Sequence, residues 1–347
     1  MKLIHVTEHH VRLYETPTGR IVKARLPDAI RKAGLFAPPL QAMVGYFKAR
    51  GHMSYTTLRD CLAEVFGLPV SKGYLTKVCT KTLSAALQPA YAQVAETIRN
   101  AAVVGTDETG HNDSGTLHWV WCQQDCKAAF FHISESRGSK VLKEILGSDF
   151  NGILQCDYFS ANKKFVRDHS IPVQFCWAHL IRDVKSLAGS LYFPVRRWAE
   201  GLLQIAKKIF RVWKSRHERP HWTKTLKTLK KVFLQKVRRP PDYGDARTLS
   251  KRFRGRGGER DYFLFLDASG VEPTNNRTEQ AIRHVVIDRR VTQGTRSWAG
   301  MRFCERAWTV VATCARHDRS VYRFFLDALQ ATYNPDLPYP ALIPPKA

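Results

Sequence analysis

The sequence predicts a mixed α/β fold, and three observations carry the prediction. Short apolar or alternating runs recur between residues 101 and 179, amphipathic helical stretches lie between them, and the same texture returns near Tyr262 after a long helical interruption. Taken in order, "AAVVGTDET" reads as a buried strand running into a turn, so that it ends at Asp107. "TLHWVWCQQ" and "KAAFFHISE" read as a hairpin around "DCK". "SKVLKEILGSDF" has helical amphipathicity, "GILQCDYFS" is a short strand ending in Asp157, "ANKKFVRDHS" is helical, and "IPVQFCW" is a strand. Three strands, helix, strand, helix, strand describe a mixed sheet.

Around that sheet the sequence divides further. Residues 1–37 read as two short strands about the turn "ETPTGR" and then a loop, a β/loop remnant of an N-terminal module. Residues 38–100 are helical. Within them Leu58, Leu62, Val65 and Phe66 make an apolar stripe that Gly67 ends, and Ser71 is placed to cap a second helix carrying Leu75, Val78 and Leu83. With Lys72, Lys77 and Lys81 on its outer side, this is either a helix-turn-helix outline or an ordinary helical hairpin. Residues 101–179 hold the strands. Residues 180–262 show helical stripes at Leu202, Ala206, Ile209 and Trp213, then at Trp222, Leu226, Leu229 and Phe233, with basic residues on the other faces. Residues 238–258 read as a Pro/Gly-punctuated basic loop. Residues 263–332 complete the sheet domain with helices near 299–316 and 320–332, and the proline-rich 333–347 is expected to fray.

Composition narrows the function. The 347 residues carry 55 Lys and Arg against 30 Asp and Glu, a net +25, a field that attracts polyanions, nucleic acid above all. The charge is concentrated: Lys207–Arg260 holds nineteen basic and four acidic residues. The chain has no apolar run that would span a membrane and no apolar leader at its start, which fits a cytoplasmic, nucleoid-associated protein. Most of the eight cysteines lie inside apolar runs, as small buried hydrophobes do in a reducing compartment. No C-x-x-C pair occurs; the nearest metal-like spacing, Cys176-x-x-His179, lacks a second pair to finish four zinc ligands.

Acids carry the chemistry. Asp107 and Asp157 end two strands of one sheet, at the edge where open α/β sheets bind ligands. Two carboxylates there repel each other unless a cation lies between them. Hard oxygen donors favour magnesium or manganese. Glu279, in the first turn of a helix beginning at "NNRTEQAIR", is placed to be the third acid. Its competing reading is a capping box closed with Asn276. Glu108 competes with Asp107, but neighbouring strand residues face opposite ways and Asp107 is preferred. Two ions about 3.5–4 Å apart activate an attacking oxygen and stabilise the leaving oxygen of a phosphodiester.

"GTDETG", "LQCDYFSANKKF", "CWAHLIRDV" (176–184), "NNRTEQAIR" (275–283) and "DRRVTQGTRSWAG" (288–300) together resemble the DDE transposases of the insertion-sequence 66 family, over about Tyr46 to Leu329. The resemblance implies a ribonuclease-H-like core, with Asp107, Asp157 and Glu279 as the catalytic, metal-binding triad for two Mg2+ or Mn2+ ions. It implies a helical insertion between the second and third acids, which lie 122 residues apart. It implies cutting of transposon ends and joining of their 3′-hydroxyls to target DNA, with double-stranded DNA as partner, accessory proteins beside it and a homo-oligomer on DNA. Family members often carry a cysteine-rich zinc ribbon ahead of the helical region, and this sequence opens where that ribbon would be finishing. Arg283, one helical turn after Glu279, reads as a phosphate contact or as an ion pair with Glu279. Arg289, Arg290 and Arg296 join the DNA-binding set, with Lys72, Lys77 and Lys81. His179 is placed near the site, and Trp298 is expected in the core. The alternatives are an inactive helix-turn-helix DNA-binding protein and a nuclease that cuts without strand transfer.

Overall fold

The structure, a computed structural model, describes residues 5–254 and 257–344. Near the N-terminus β1 (Leu13–Glu15) and β2 (Ile21–Lys23) pair antiparallel across the expected turn. The following stretch, expected as loop, holds the short helix α1 (Asp28–Ala33). Then come α2 (Pro38–Ala49) and α3 (Tyr55–Phe66). The next helix runs unbroken through α4 (Lys72–Lys77), a π-helical segment (Val78–Leu83) and α5 (Ser84–Ala86), and α6 (Gln88–Arg99) follows. The Ser54 and Ser71 hydroxyls accept from Thr57 N and Tyr74 N, so each caps its helix. Gly67 ends α3 at φ 66°, a left-handed backbone that costs glycine nothing. Leu58, Leu62, Leu75, Val78 and Leu83 are buried as their spacing requires, and Lys72, Lys77 and Lys81 are exposed. Val65 departs from the expected stripe and is exposed, because α3 buries only its Leu58–Leu62 edge.

Five strands form one mixed sheet in the order β5-β4-β3-β6-β7. They are β3 (Val103–Asp113), β4 (Thr116–Gln124), β5 (Ala129–Ser134), β6 (Ile153–Cys156) and β7 (Val173–Phe175). The first three are antiparallel, while β6 and β7 run parallel to β3. Helices α7 (Ser139–Leu146) and α8 (Ser160–His169) make the crossovers that parallel strands need. One expectation is corrected: β3 does not end at Asp107 but continues to Asp113. There Ser114 (φ 51°) and Gly115 (φ 92°) turn the chain directly into β4, the two-residue hairpin whose backbone twist matches the strands.

Edge strand β5 leaves a row of N–H groups facing outward. Helix α15 (Trp298–Arg316) answers them: Ile133 N, Phe131 N and Ala129 N donate to Glu305, Thr309 and Thr313. These acceptors are four residues apart, one face of a helix, and each is fully buried.

After β7 the chain leaves the sheet for α9 (Trp177–Ala188), the paired α10 (Phe193–Lys214) and α11 (Trp222–Val237), α12 (Gly244–Lys251) and α13 (Arg260–Phe263). The expected stripe Leu202, Ala206, Ile209 and Trp213 is buried, as are Leu226 and Phe233. Trp177, Phe233, Phe253 and Phe263 join in one aromatic cluster. Two corrections apply here. Residues 238–258 are not wholly loop, since α12 places Ala246 and Leu249 in the core. The apolar run 262–266, where the sheet texture is expected to return, is the end of α13 and a 3-10 turn.

Helices α14 (Asn276–Thr292), α15 and α16 (Val321–Tyr333) finish the chain. The tail, expected to fray, docks as far as it is described: Tyr339 Oη donates to Ala86 O at 2.8 Å and Leu342 is fully buried. Residues 345–347 lie outside the described residues. No helix among the described residues is long and apolar enough to cross a membrane.

Candidate active site

Strand register places the first two acids. Gly105 pairs with Gln155 in the parallel β3–β6 ladder, and Asp107 and Asp157 each lie two residues beyond that pair. Asp157 is one residue past the end of β6, and the strand alternation continued to it sets both acids on one face, on strands about 4.8 Å apart. The next strand continues the row, because Cys156 pairs with Phe175 and so Asp157 stands level with Cys176.

The third acid is carried back by a series of side-chain to backbone hydrogen bonds. Gln174 of β7 accepts from Phe265 N and donates to Tyr262 O. Gln155 of β6 donates to Glu272 O at 2.6 Å. Trp177 N donates to Pro273 O, Asn275 N donates to Cys176 Sγ, and Asn275 Nδ2 donates to Thr106 O of β3. The returning chain thus crosses β7, β6 and β3 in turn before α14 begins. Gly105 and Thr109 share the face of Asp107. A side chain at Gly105 would collide with Thr278 Oγ1, and Thr109 Oγ1 accepts from Arg289. Asp107 is therefore on the face covered by α14, which carries Glu279 in its first turn.

The capping reading of Glu279 is displaced by one residue. Asn275, not Asn276, is the cap, and Asn275 Oδ1 accepts from Thr278 Oγ1 at 2.6 Å. Asn275 is buried and Asn276 exposed. The Glu279 carboxylate is not used for the cap. Its Oε1 is enclosed without a hydrogen-bond partner, 3.6 Å from His179 Nδ1. His179, in the first turn after β7, is thus beside Glu279.

Electrostatics separates the two neighbouring acids of β3. Glu108 takes both Nε and Nη2 of Arg137, and that guanidinium lies over the rings of Trp119 and Phe159. Burial raises the Glu108 pKa and the Arg137 hydrogen bond opposes it. Asp107 has no such cation. Burial first, then repulsion from Glu108, Asp157 and Glu279, hold its carboxyl at about 7, with only the Glu108 N–H opposing. Asp157 Oδ1 accepts from Phe159 N and Asn162 Nδ2. These bonds hold the carboxylate in the turn before α8, whose N-cap is Phe159. A buried, crowded carboxyl with no counter-cation is a place that a hard divalent ion would relieve.

The basic residues divide. Arg283 is exposed, and among the described residues no ion pair joins it to Glu279. Arg290 and Arg296 are exposed as well. Arg289 is half-buried and gives its guanidinium to Thr109 Oγ1 and Gly110 O, tying α14 to β3. Trp298, expected in the core, is 68% exposed at the start of α15, with Arg302 over its ring.

A family model described as the transposase IS66 family matches residues 33–303, well over half the chain. The chain belongs to the IS66 transposase family. No curated protein matches it. For an IS66 transposase the partner is DNA, and members of such families use divalent metal in general. The one group of three potential metal ligands that converge within 4.8 Å among the described residues is Cys176, His179 and Glu279. The Cys176-x-x-His179 spacing has no second such pair in the sequence. Glu279, some hundred residues further along the chain, is adjacent to the pair only in space.

Proposed function

We propose that this IS66 transposase cuts the ends of its element and transfers the resulting 3′-hydroxyls into target DNA, with Asp107, Asp157 and Glu279 as its catalytic acids. The observation that carries the reading is the register: Asp107 and Asp157 stand level beyond the Gly105–Gln155 pair, on the face that α14 covers with Glu279. The sheet order, with three antiparallel strands followed by two parallel ones, is what a ribonuclease-H-like core requires, and α9–α13 are its helical insertion. The proposed domains are 38–100, 101–179, 180–262 and 263–332.

The donor set fits hard divalent cations, two Mg2+ or Mn2+. Asp107, whose carboxyl feels the charges of both Asp157 and Glu279, would hold the ions together with them. Ions so held activate an attacking oxygen and stabilise a leaving one in phosphodiester chemistry. The chain's own contribution is to hold these carboxylates rigidly: Asn162 fixes Asp157, the Asn275–Thr106 bond fixes the start of α14, and Arg137 neutralises Glu108 so that it does not compete. Exposed Arg283, one turn along α14 from Glu279, contacts a DNA phosphate, and Arg290 and Arg296 extend that surface.

Lys72, Lys77 and Lys81, exposed along the second helix of a helix-turn-helix, bind the element's ends. The basic faces of α10 and α11 hold the duplex, and the protein works on DNA as a homo-oligomer in the nucleoid, with small accessory proteins. The test is incubation of the purified protein with Mg2+ and a duplex carrying the element's ends. Nicked 3′-hydroxyl ends and joined products support the reading. Nicks without joined products reduce it to a nuclease, and binding without nicks reduces it to a DNA-binding protein.

A further inference from the structure

Beside the proposed acidic site stands a second group of side chains, of different chemistry. Cys176 follows β7 and is level with Asp157; it is 3% exposed and its Sγ accepts from Asn275 N at 3.2 Å. His179 stands on the first turn of α9, three residues on. Glu279 comes down from α14. Their ligand atoms all lie within 4.8 Å of one another.

Two of these atoms are anomalous. His179 Nδ1 and Glu279 Oε1 are both enclosed and both lack a hydrogen-bond partner. They face each other at 3.6 Å, beyond hydrogen-bonding distance. Two enclosed polar atoms that neither bond each other nor reach water leave desolvation uncompensated. A cation bound by both removes that cost. Zinc bonds of about 2.3 Å to sulfur and about 2.0–2.2 Å to nitrogen or oxygen, in tetrahedral array, set the ligand atoms roughly 3.3–3.8 Å apart. The His179–Glu279 separation already falls in that range.

The donors choose the ion. A thiolate and an imidazole are poor ligands for magnesium and good ones for zinc or cobalt. Three protein ligands leave the fourth position of a tetrahedral ion for a water brought in with it. We propose that Cys176, His179 and Glu279 form a three-ligand site for a zinc-class cation, which takes Glu279 when filled and so withholds it from the magnesium site. Binding costs the Cys176 thiol its proton, which leaves to buffer. The binding half of the proposal stands on geometry alone; the withholding half rests on the reading of Glu279 as a catalytic acid.

Cobalt(II) titration tests the binding half, because cobalt bound to a thiolate gives a near-ultraviolet charge-transfer absorption that imidazole-only binding, as at the exposed His5, His9 and His10, does not. One Co2+ per chain with that absorption is expected. Cys176→Ser, whose hydroxyl can still accept from Asn275 N, should abolish the absorption. His179→Gln should weaken binding by at least the roughly 10–100-fold that even an outer-shell partner is worth. No absorption in the natural protein, or an unchanged one in either variant, overturns the site. Asp107→Asn should keep the absorption while losing cleavage, which separates this site from the acidic triad. For the withholding half, stoichiometric zinc should suppress magnesium-dependent cleavage in the natural protein and spare Cys176→Ser, each relative to its own zinc-free rate. Equal suppression in both overturns it.

Discussion

Asn275 donates from Nδ2 to Thr106 O at 2.8 Å, one residue before Asp107 on the strand and four before Glu279 on the helix. This single bond sets the spacing of two acids that the sequence separates by more than 170 residues. Both groups are buried. Asn275→Ala leaves the Thr106 carbonyl without its partner and the Thr278 hydroxyl with only Gln124, at a cost of about 1–3 kcal/mol. It should lower cleavage further than its loss of stability explains. Gly105→Ala should act alike, because its methyl group collides with Thr278 Oγ1 and pushes α14 away from β3. Thermal melts and cleavage rates on the same preparations check both.

Conservative substitutions separate a structural role of the second and third acids from a catalytic one. Asparagine at 157 still accepts from Phe159 N, and glutamine at 279 keeps the helix start unchanged. Asp157→Asn and Glu279→Gln should therefore melt within about 1 kcal/mol of the natural protein, as a substitution between good caps does. Each should nonetheless abolish magnesium-dependent cleavage. Full activity in either removes that residue from the site.

Asp107 makes the site pH-dependent. Its carboxyl is held at about 7, against 3.8 for an ordinary aspartate. The folded chain therefore keeps a proton that the unfolded chain loses, and the stability this lends is full below about pH 4 and gone above about pH 7. At pH 8, without metal, Asp107→Asn should raise stability by on the order of 1–3 kcal/mol, because it removes a buried, crowded charge. Magnesium must displace the same proton, so cleavage should weaken as pH falls below 7 and recover with higher magnesium. Melting and cleavage profiles between pH 5 and 9 measure both.

Glu305, Thr309 and Thr313 cover the outer edge of β5. Thr309→Val keeps the shape and removes the acceptor for Phe131 N, which should cost about 1–3 kcal/mol. Denaturant unfolding reads the loss directly.

Lys224, Lys227 and Lys231 are exposed along α11. Replacing all three with alanine should weaken DNA binding without shifting the melt, and should flatten the dependence of log K on log salt by about 0.9 for each phosphate left without its lysine.

Much of this molecule was legible from periodicity and punctuation. The sequence of strands and crossover helices from Val103 to Phe175 follows from alternation and amphipathic spacing, and Ser54, Gly67 and Ser71 end or begin helices by local chemistry. The length of β3 was not read, although "NDSGT" carries the serine–glycine signal of a tight hairpin. A strand was stopped at its most polar stretch because Asp107, Glu108 and Thr109 resemble a turn; tertiary pairing with β4 overrides that preference. Val65 and Trp298 were misplaced because spacing identifies a face but not whether anything covers it. The bonds of Arg289 to Thr109 and Gly110 are long-range and leave no mark in the local sequence. The Cys176, His179 and Glu279 group escaped for the same reason: its third member is adjacent only in space.

The most direct test of the central claim compares magnesium-dependent nicking of a duplex bearing the element's ends by the natural protein and by Asp107→Asn, Asp157→Asn and Glu279→Gln, each shown to be folded and to bind the duplex. Nicking by the natural protein and none by any of the three is the predicted result. Nicking that survives in all three variants would contradict the account.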